Sequence, residues 1–241
     1  MIKAVATDID GTLTVSRNNY KLAIEAIKAI RLLEEHGIPV ILISGNALPI
    51  VVGLSRYIGT SGPVLGENGC VIFYKGRKYY VTRETARNAA EIVYKELKDY
   101  VIYSWQNSYR EIDYALDICK EHSKNSGFII SKINEILHER GIMSIKVLFS
   151  GFAIHLVPKS CGKAEGLKFA SKLLGVSLGE ILGVGDGLND VELLETVGFP
   201  ATVSNADPEL KKIAKYVASK PSGAGFSEIV EQILSGRLTK Q

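Results

Sequence analysis

The sequence predicts an α/β protein: a doubly wound, Rossmann-like core with a mainly parallel sheet, carrying a smaller inserted α+β domain. Two observations predict the core. Short β-branched apolar runs alternate with longer amphipathic segments at both ends of the chain. Runs such as "PVILI" are apolar throughout, as strands covered on both faces must be. A third observation sets the insertion apart, because over residues 83–153 the rhythm changes to helix, two strands, helix and two more strands. The predicted division is a core of residues 1–82 and 154–241 and a cap of residues 83–153, large enough to be a small domain tethered at both ends.

Residues 2–7 read as the first strand. Over 20–36, Leu22, Ala23, Ala26, Ile27, Ile30 and Leu33 make a helical stripe that Gly37 closes. "PVILI" (39–43) is the second strand and a helix follows near 47–58. Short strands at "PVL" and "CVIFY" then lead into a hairpin around Gly76. The insertion carries a helix from Glu84 to Leu97, strands at "VIYSW" and "EIDYAL", a helix over 126–140, and strands at "SIKVLF" and "FAIHLV". The core rhythm resumes with a helix over 163–174, a strand at 180–184, a helix over 190–197 and a strand at 200–203. A short helix after Pro208, a strand at 215–218 and a last helix complete it, with "GRLTKQ" as a frayed tail.

With 241 residues and 46% apolar content the chain can bury a sizeable core. Its 29 basic and 26 acidic residues, net charge +3, are too evenly balanced to point to a nucleic-acid or membrane partner. The start "MIKAVATDID" has no signal-type apolar region, and "LPIVVGL" is far too short to cross a bilayer. A cytoplasmic protein is expected, monomeric or homodimeric. Cys70, Cys119 and Cys161 stand far apart without CxxC spacing, so three reduced thiols are expected rather than a disulfide framework or a zinc site.

In a parallel α/β sheet, ligands bind beyond the carboxyl ends of the strands. Asp8 and Asp10 follow the first strand and, two residues apart, project to one side, where a positive charge must offset them. Ser44, Gly45 and Asn46 follow the second strand; Asp186, Asn189 and Asp190 follow "EILGV". Converging carboxylates require a divalent cation, and hard oxygen ligands favour Mg²⁺. An aspartate there can attack phosphorus to form an aspartyl-phosphate. A second carboxylate can protonate the leaving oxygen and then deprotonate water. Ser44, Asn46 and a lysine would hold the phosphoryl group. Lys163, opening a helix after Gly162, is the lysine placed to do so. Taken singly, these stretches also read as an Asp-Gly turn, ordinary loops, a helix cap at Asp190 and a solvated lysine.

Together they resemble the haloacid dehalogenase superfamily of phosphohydrolases. "DIDGT" resembles its first motif, "ISGN" its second, Lys163 its third and "GDGLND" its fourth, in the expected order. The insertion is similar to a C2-type cap in its place between the second and third motifs, and "GENGCVIFY" resembles the run that precedes such a cap. The resemblance implies Asp8 as nucleophile and metal ligand, and Asp10 as general acid/base with its backbone carbonyl on Mg²⁺. It implies Asp186 as metal ligand, with Asn189 and Asp190 supporting the metal. Thr12, Ser44, Gly45, Asn46 and Lys163 would bind or orient phosphate. A carboxylate at Asp10 separates the chain from the superfamily's ion-pumping ATPases, and the short run between the first two motifs leaves no room for the helical cap of most of its mutases. A phosphatase is expected.

The short cap and the "KAEGL" and "GDGLND" runs look most like the archaeal phosphoglycolate phosphatases, near the Cof-type sugar phosphatases and sucrose-phosphatases. The resemblance implies hydrolysis of a small phosphomonoester, 2-phosphoglycolate to glycolate and phosphate, with a sugar phosphate as the alternative. A carboxylate-bearing substrate wants a cationic cap residue: Arg110 first, with Lys120, Lys124 and Lys146 as further candidates. A non-catalytic, metal-holding binding protein is the remaining alternative. It would suit a chain lacking Asp8 or Asp10, and both are present.

Overall fold

The computed structural model describes residues 1–238. β1 (Ala4–Thr7) leads into a ribbon of β2 (Thr14–Ser16) and β3 (Asn19–Leu22), followed by α1 (Ile24–Glu35), β4 (Val40–Ile43) and α2 (Leu48–Ile58). β5 (Val64–Gly66), β6 (Val71–Tyr74) and β7 (Arg77–Tyr80) close the first core segment. The insertion supplies α3 (Arg87–Glu96), β8 (Val101–Tyr103), β9 (Tyr114–Ile118), α4 (Ser126–Glu139), β10 (Ile145–Phe149) and β11 (Ala153–Pro158). The core returns with α5 (Lys163–Leu174), β12 (Ile181–Gly185), α6 (Val191–Thr196), β13 (Phe199–Thr202), α7 (Pro208–Ile213), β14 (Tyr216–Val217) and α8 (Ser222–Leu234).

The large sheet has the order β14-β13-β12-β1-β4-β5-β6-β7, parallel from β14 to β5 and antiparallel at β6 and β7. Alternation along β1 explains its two-sided burial. Val5 joins the core cluster that includes α1 and α8, whereas Ala4 and Ala6 join the cluster formed with Leu167 and Ala170 of α5. The smaller sheet, β10-β11-β9-β8, is antiparallel throughout. Tyr114, Leu116, Ile154 and Leu156 pack on α3 and α4. Their neighbours Ala115, Asp117, Ala153 and His155 therefore face the other way, and they line a cavity over the core.

Four expectations are corrected. Residues 20–22 begin no helix: they belong to the β2–β3 ribbon, whose short strands of mixed polarity carry no clear period. The cap boundary at 153/154 falls too early, because β11 runs to Pro158 and pairs only with β10 and β9. Cys70 and Cys161 are not reduced thiols; they form a disulfide, with Cα atoms 5.3 Å apart, and only Cys119 is free. The pair is distant in sequence, but the start of α5 sits on the turn before β6 closely enough that a Cβ on Gly69 would lie 2.6 Å from the Gly162 carbonyl. Within the expected frayed tail, the Arg237 N–H donates to the Gln232 carbonyl and Leu238 packs against the core; Thr239, Lys240 and Gln241 lie outside the described residues. Among the described residues, no helix is long and apolar enough to cross a membrane.

Candidate active site

β12, β1 and β4 are neighbours in the sheet, so the polar residues after them meet at one edge. Asp8 donates its backbone N–H to Val184 of β12 at 2.9 Å, extending the strand pairing one residue into the site. α5 opens on Lys163, whose Nζ lies 2.6 Å from Asp8 Oδ1 and 2.5 Å from Asp190 Oδ1. All three side chains are buried. Asp190 Oδ2 accepts the Asp186 and Gly187 N–H groups, both at 3.1 Å, and so closes the loop that presents Asp186. Thr12 Oγ1 donates to Asp186 Oδ1 at 3.3 Å. Gly11 has φ +94°, and a side chain there would collide with the Asp186 carboxylate.

Asp10 faces the end of β4, the parallel neighbour of β1. Its Oδ2 accepts from Asn46 Nδ2 at 2.8 Å, and the same amide nitrogen is 3.0 Å from Ser44 Oγ. Burial raises the Asp10 carboxyl above its ordinary range, against the opposing pull of Asn46, Lys163 and His155. Burial and Asp190 raise Asp8 strongly, opposed by Lys163. Asp186 is pushed up to about 6 by burial and by Asp190, against Arg17. Three carboxylates so arranged are short of positive charge.

One oxygen each of Asp8, Asp186 and Asp190 lies within 4.8 Å of the others. A buried, all-oxygen set whose like-charge repulsion Lys163 and Arg17 relieve only in part fits a hard divalent cation. The Asp10 side chain stands apart on Asn46 and is not among these three oxygens. Asn189 lines the cavity beside Asp186.

The cavity, of about 270 Å³, is bordered by Asp8, Asp10, Gly45, Asn46, Asp186 and Asn189 from the core. Arg110, Ser104, Trp105, Gln106 and His155 border it from the insertion. Thr12, Ser44, Lys163 and Asp190 stand behind that first layer. Arg110 reaches the chamber, but its terminal nitrogens are engaged: NH2 donates to the Gly45 carbonyl at 2.7 Å and NH1 to Asp113 Oδ2 at 3.1 Å. Lys120 and Lys124 are exposed and away from the chamber, and Lys146 pairs with Glu192 of the core at 3.2 Å. These three lysines are set aside as substrate contacts.

Several site residues carried no signal in the sequence. Arg17, in the β2–β3 turn, puts Nε 2.7 Å from Asp186 Oδ2 and NH1 3.0 Å from Asp207 Oδ1. Gln106 donates Nε2 to Asn46 Oδ1 at 2.8 Å. His155 places Nδ1 3.0 Å from Asp113 Oδ2. A strand period of two through β9 and β11 could have flagged His155, had the cavity-facing side been known.

The chain belongs to the haloacid dehalogenase-like hydrolases, whose family model matches residues 5–151 and 129–230. It is 46% identical to a phosphoglycolate phosphatase of Staphylothermus marinus over 97% of this chain and 98% of that one. It is 38% identical to phosphoglycolate phosphatase 1 of Saccharolobus solfataricus over 98% and 97% of the two chains. A solved structure from Thermoplasma acidophilum is similar with a TM-score of 0.83 at 25% identity, over 97% of this chain and 99% of that one.

Proposed function

We infer that the protein is a Mg²⁺-dependent phosphatase of small phosphomonoesters, cytoplasmic, acting through an aspartyl-phosphate on Asp8, with 2-phosphoglycolate as substrate. The observation that carries this reading is the placement of two differently held carboxylates at one strand end. Asp8 lies on Lys163, and Asp10 lies on Asn46 at the edge of the same chamber. In the first half-reaction an Asp8 carboxylate oxygen attacks phosphorus and the P–O bond to the leaving group breaks. Asp10 gives that oxygen its proton. In the second, water attacks the phosphorus and passes a proton to Asp10, and the bond to Asp8 breaks, releasing phosphate. Lys163 holds Asp8 and Asp190 against their mutual repulsion, and Ser44 fixes the Asn46 amide that orients Asp10.

Asp8 and Asp186, with the Asp10 backbone carbonyl, would hold the metal, supported by Asn189 and Asp190. Mg²⁺ bound there supplies neutralisation of phosphoryl charge. The roles of Thr12, Gly45 and Lys163 are phosphate positioning from behind and beside Asp8. Residues 83–158 act as the cap that selects the substrate.

Two relatives named for phosphoglycolate, matched over nearly their full length, support the substrate. So does the chamber of about 270 Å³, which suits a small leaving group. One feature favours the sugar-phosphate alternative: an apolar groove past Pro49, Leu54 and Tyr57 shares Asp10, Asn46 and Gln106 with the chamber and would admit a longer leaving group. A panel of phosphomonoesters assayed with Mg²⁺ decides. 2-Phosphoglycolate should have the highest kcat/KM, and a hexose or sucrose phosphate in first place would overturn the substrate assignment.

A further inference from the structure

His155 is 4% exposed, on β11, one of the two inner strands of the smaller sheet, with its imidazole bordering the chamber that contains Asp8 and Asp10. One edge of the ring is fully committed: Nδ1 lies 3.1 and 3.0 Å from the two oxygens of Asp113. Asp113 is buried and held in turn by Asn68 Nδ2 at 2.8 Å and Arg110 NH1 at 3.1 Å. The other edge lies over Gly45, where a Cβ would come 3.2 Å from Cε1 and 3.3 Å from Nε2. Among the described residues Nε2 has no hydrogen-bond partner, although the side chain is otherwise packed on all sides. The only opening left to it is the chamber.

Four carboxylates, Asp8, Asp10, Asp117 and Asp186, border the chamber, and Arg17 on the same wall has Nε, NH1 and NH2 all committed to Asp186 and Asp207. A substrate carrying a second anion beyond its phosphoryl group has one positive corner in which to put it, formed by His155 and the Arg110 guanidinium behind it. Arg110 spends its terminal nitrogens on Gly45, Gln106 and Asp113, and its unpartnered Nε is buried away from the open space, so the free nitrogen that faces the chamber in that corner is His155 Nε2.

On the phosphoglycolate reading above, we propose that His155, oriented by Asp113, is the residue that contacts the substrate carboxylate. With Nδ1–H donated to Asp113, Nε2 is the ring nitrogen left facing the chamber, and a substrate carboxylate docked there would be bridged to Asp113 through the ring. Arg110 is a positioning residue here: it holds Asp113 and adds positive potential without touching the substrate.

The test compares 2-phosphoglycolate with 2-hydroxyethyl phosphate, in which a neutral hydroxymethyl group replaces the carboxylate. His155→Gln should lose roughly 10–100-fold in kcat/KM on phosphoglycolate, mainly through KM, the usual worth of a charged hydrogen bond. On 2-hydroxyethyl phosphate, where only the pull of the ring on Asp10 is lost, the drop should be smaller by roughly fivefold or more. Equal losses on both substrates, or an unchanged preference for phosphoglycolate, would overturn the assignment. A wild-type protein with no preference between the two would instead overturn the phosphoglycolate reading itself. A second measurement needs no variant and no turnover. 3-Phosphonopropionate, the carbon isostere of phosphoglycolate, should shift the ring NMR signals of one of the four histidines, and propylphosphonate should not. His36, His122 and His138 lie outside the chamber, so identical effects of the two phosphonates would count against His155.

Discussion

Gln106 of the inserted domain donates its Nε2 to Asn46 Oδ1 at 2.8 Å, and its Oε1 accepts the Ala47 N–H at 2.8 Å. One half-buried cap amide thus fixes both the rotamer of Asn46 and the backbone that follows it, and Asn46 in turn holds Asp10. Gln106→Ala should leave the fold intact and lower kcat by roughly 10–100-fold, the scale on which a misplaced catalytic group costs rate. The loss should be larger for an alkyl phosphate than for an aryl phosphate, because only the former leans on proton donation from Asp10. Equal losses for both leaving groups would detach Gln106 from Asp10.

Asp8→Asn should abolish turnover in a folded protein, since an amide does not attack phosphorus. Asp10→Asn should slow the reaction by roughly 10²–10⁴-fold, with the greatest loss on leaving groups of high pKa. Circular dichroism and steady-state assays on the two variants check both, and near-native kcat in folded Asp8→Asn would remove the nucleophile assignment.

Chelation should abolish activity and Mg²⁺ restore it, with Ca²⁺ a poor substitute because of its looser coordination. Asp186→Asn should weaken metal binding and yet stabilise the metal-free protein near pH 8. The Asp186 carboxyl sits at about 6, above the ordinary value of 3.8, so its ionised form is disfavoured in the native state. Thermal melts in chelator should show a higher Tm for the variant, roughly 2–4 °C for each kcal/mol gained. A lower Tm would mean that the pairing with Arg17 outweighs the repulsion.

The core elements were legible because their periods are long and clean: the helix expected over 163–174 is Lys163–Leu174, and "EILGV" became Ile181–Gly185 within a residue. The strand-end residues Asp8, Asp10, Asn46, Lys163, Asp186 and Asp190 were legible for a related reason, since each sits at a fixed offset from such an element. Their supporting contacts were not. Gln106 reaches Asn46 across 60 positions and His155 reaches Asp113 across 42; the first pairing depends on how the insertion is set over the core, the second on the β9–β11 pairing within the smaller sheet. The β2–β3 ribbon, three and four residues per strand, has too few alternations to register, and Arg17 was missed with it. Cys70 and Cys161 looked independent because only the docking of α5 brings them together.

The disulfide closes a loop with a sequence separation of 91 between Cys70 and Cys161 and fixes the segment two residues before Lys163. In the chain-entropy model a loop of that length restricts the unfolded state by about 4–5 kcal/mol. Cys70→Ala/Cys161→Ala should therefore lower Tm by roughly 8–20 °C, and reductant acting on the unfolded wild type should bring its melting curve toward that of the variant. Coincident melts of the wild type and the double variant without reductant would show that the bond contributes nothing.

Glu67 ties the core to the insertion at a point outside the chamber. Its Oε2 accepts three successive backbone N–H groups, from Glu111 at 3.0 Å, Ile112 at 2.8 Å and Asp113 at 3.2 Å, while its buried Oε1 has no partner among the described residues. Burial pushes the carboxyl from the ordinary 4.5 up to about 7, with the Ile112 N–H pulling down and Asp113 pushing up. The native state therefore binds the proton more tightly than the unfolded chain does. Stability from this group is fully present below pH 4.5 and is lost as pH rises through about 7, a swing of about 3 kcal/mol at most. Glu67→Gln keeps an oxygen for the three N–H groups and removes the titration. Relative to wild type, the variant should gain stability between pH 5 and pH 8, by roughly 1–3 kcal/mol in urea unfolding at the two pH values. Asp8 and Asp186 titrate in both proteins, so their contributions cancel in that difference. A wild-type-minus-variant difference that stays flat with pH would place the Glu67 proton elsewhere. Glu67→Ala, which leaves three backbone donors without an acceptor, should instead destabilise at every pH, by several kcal/mol.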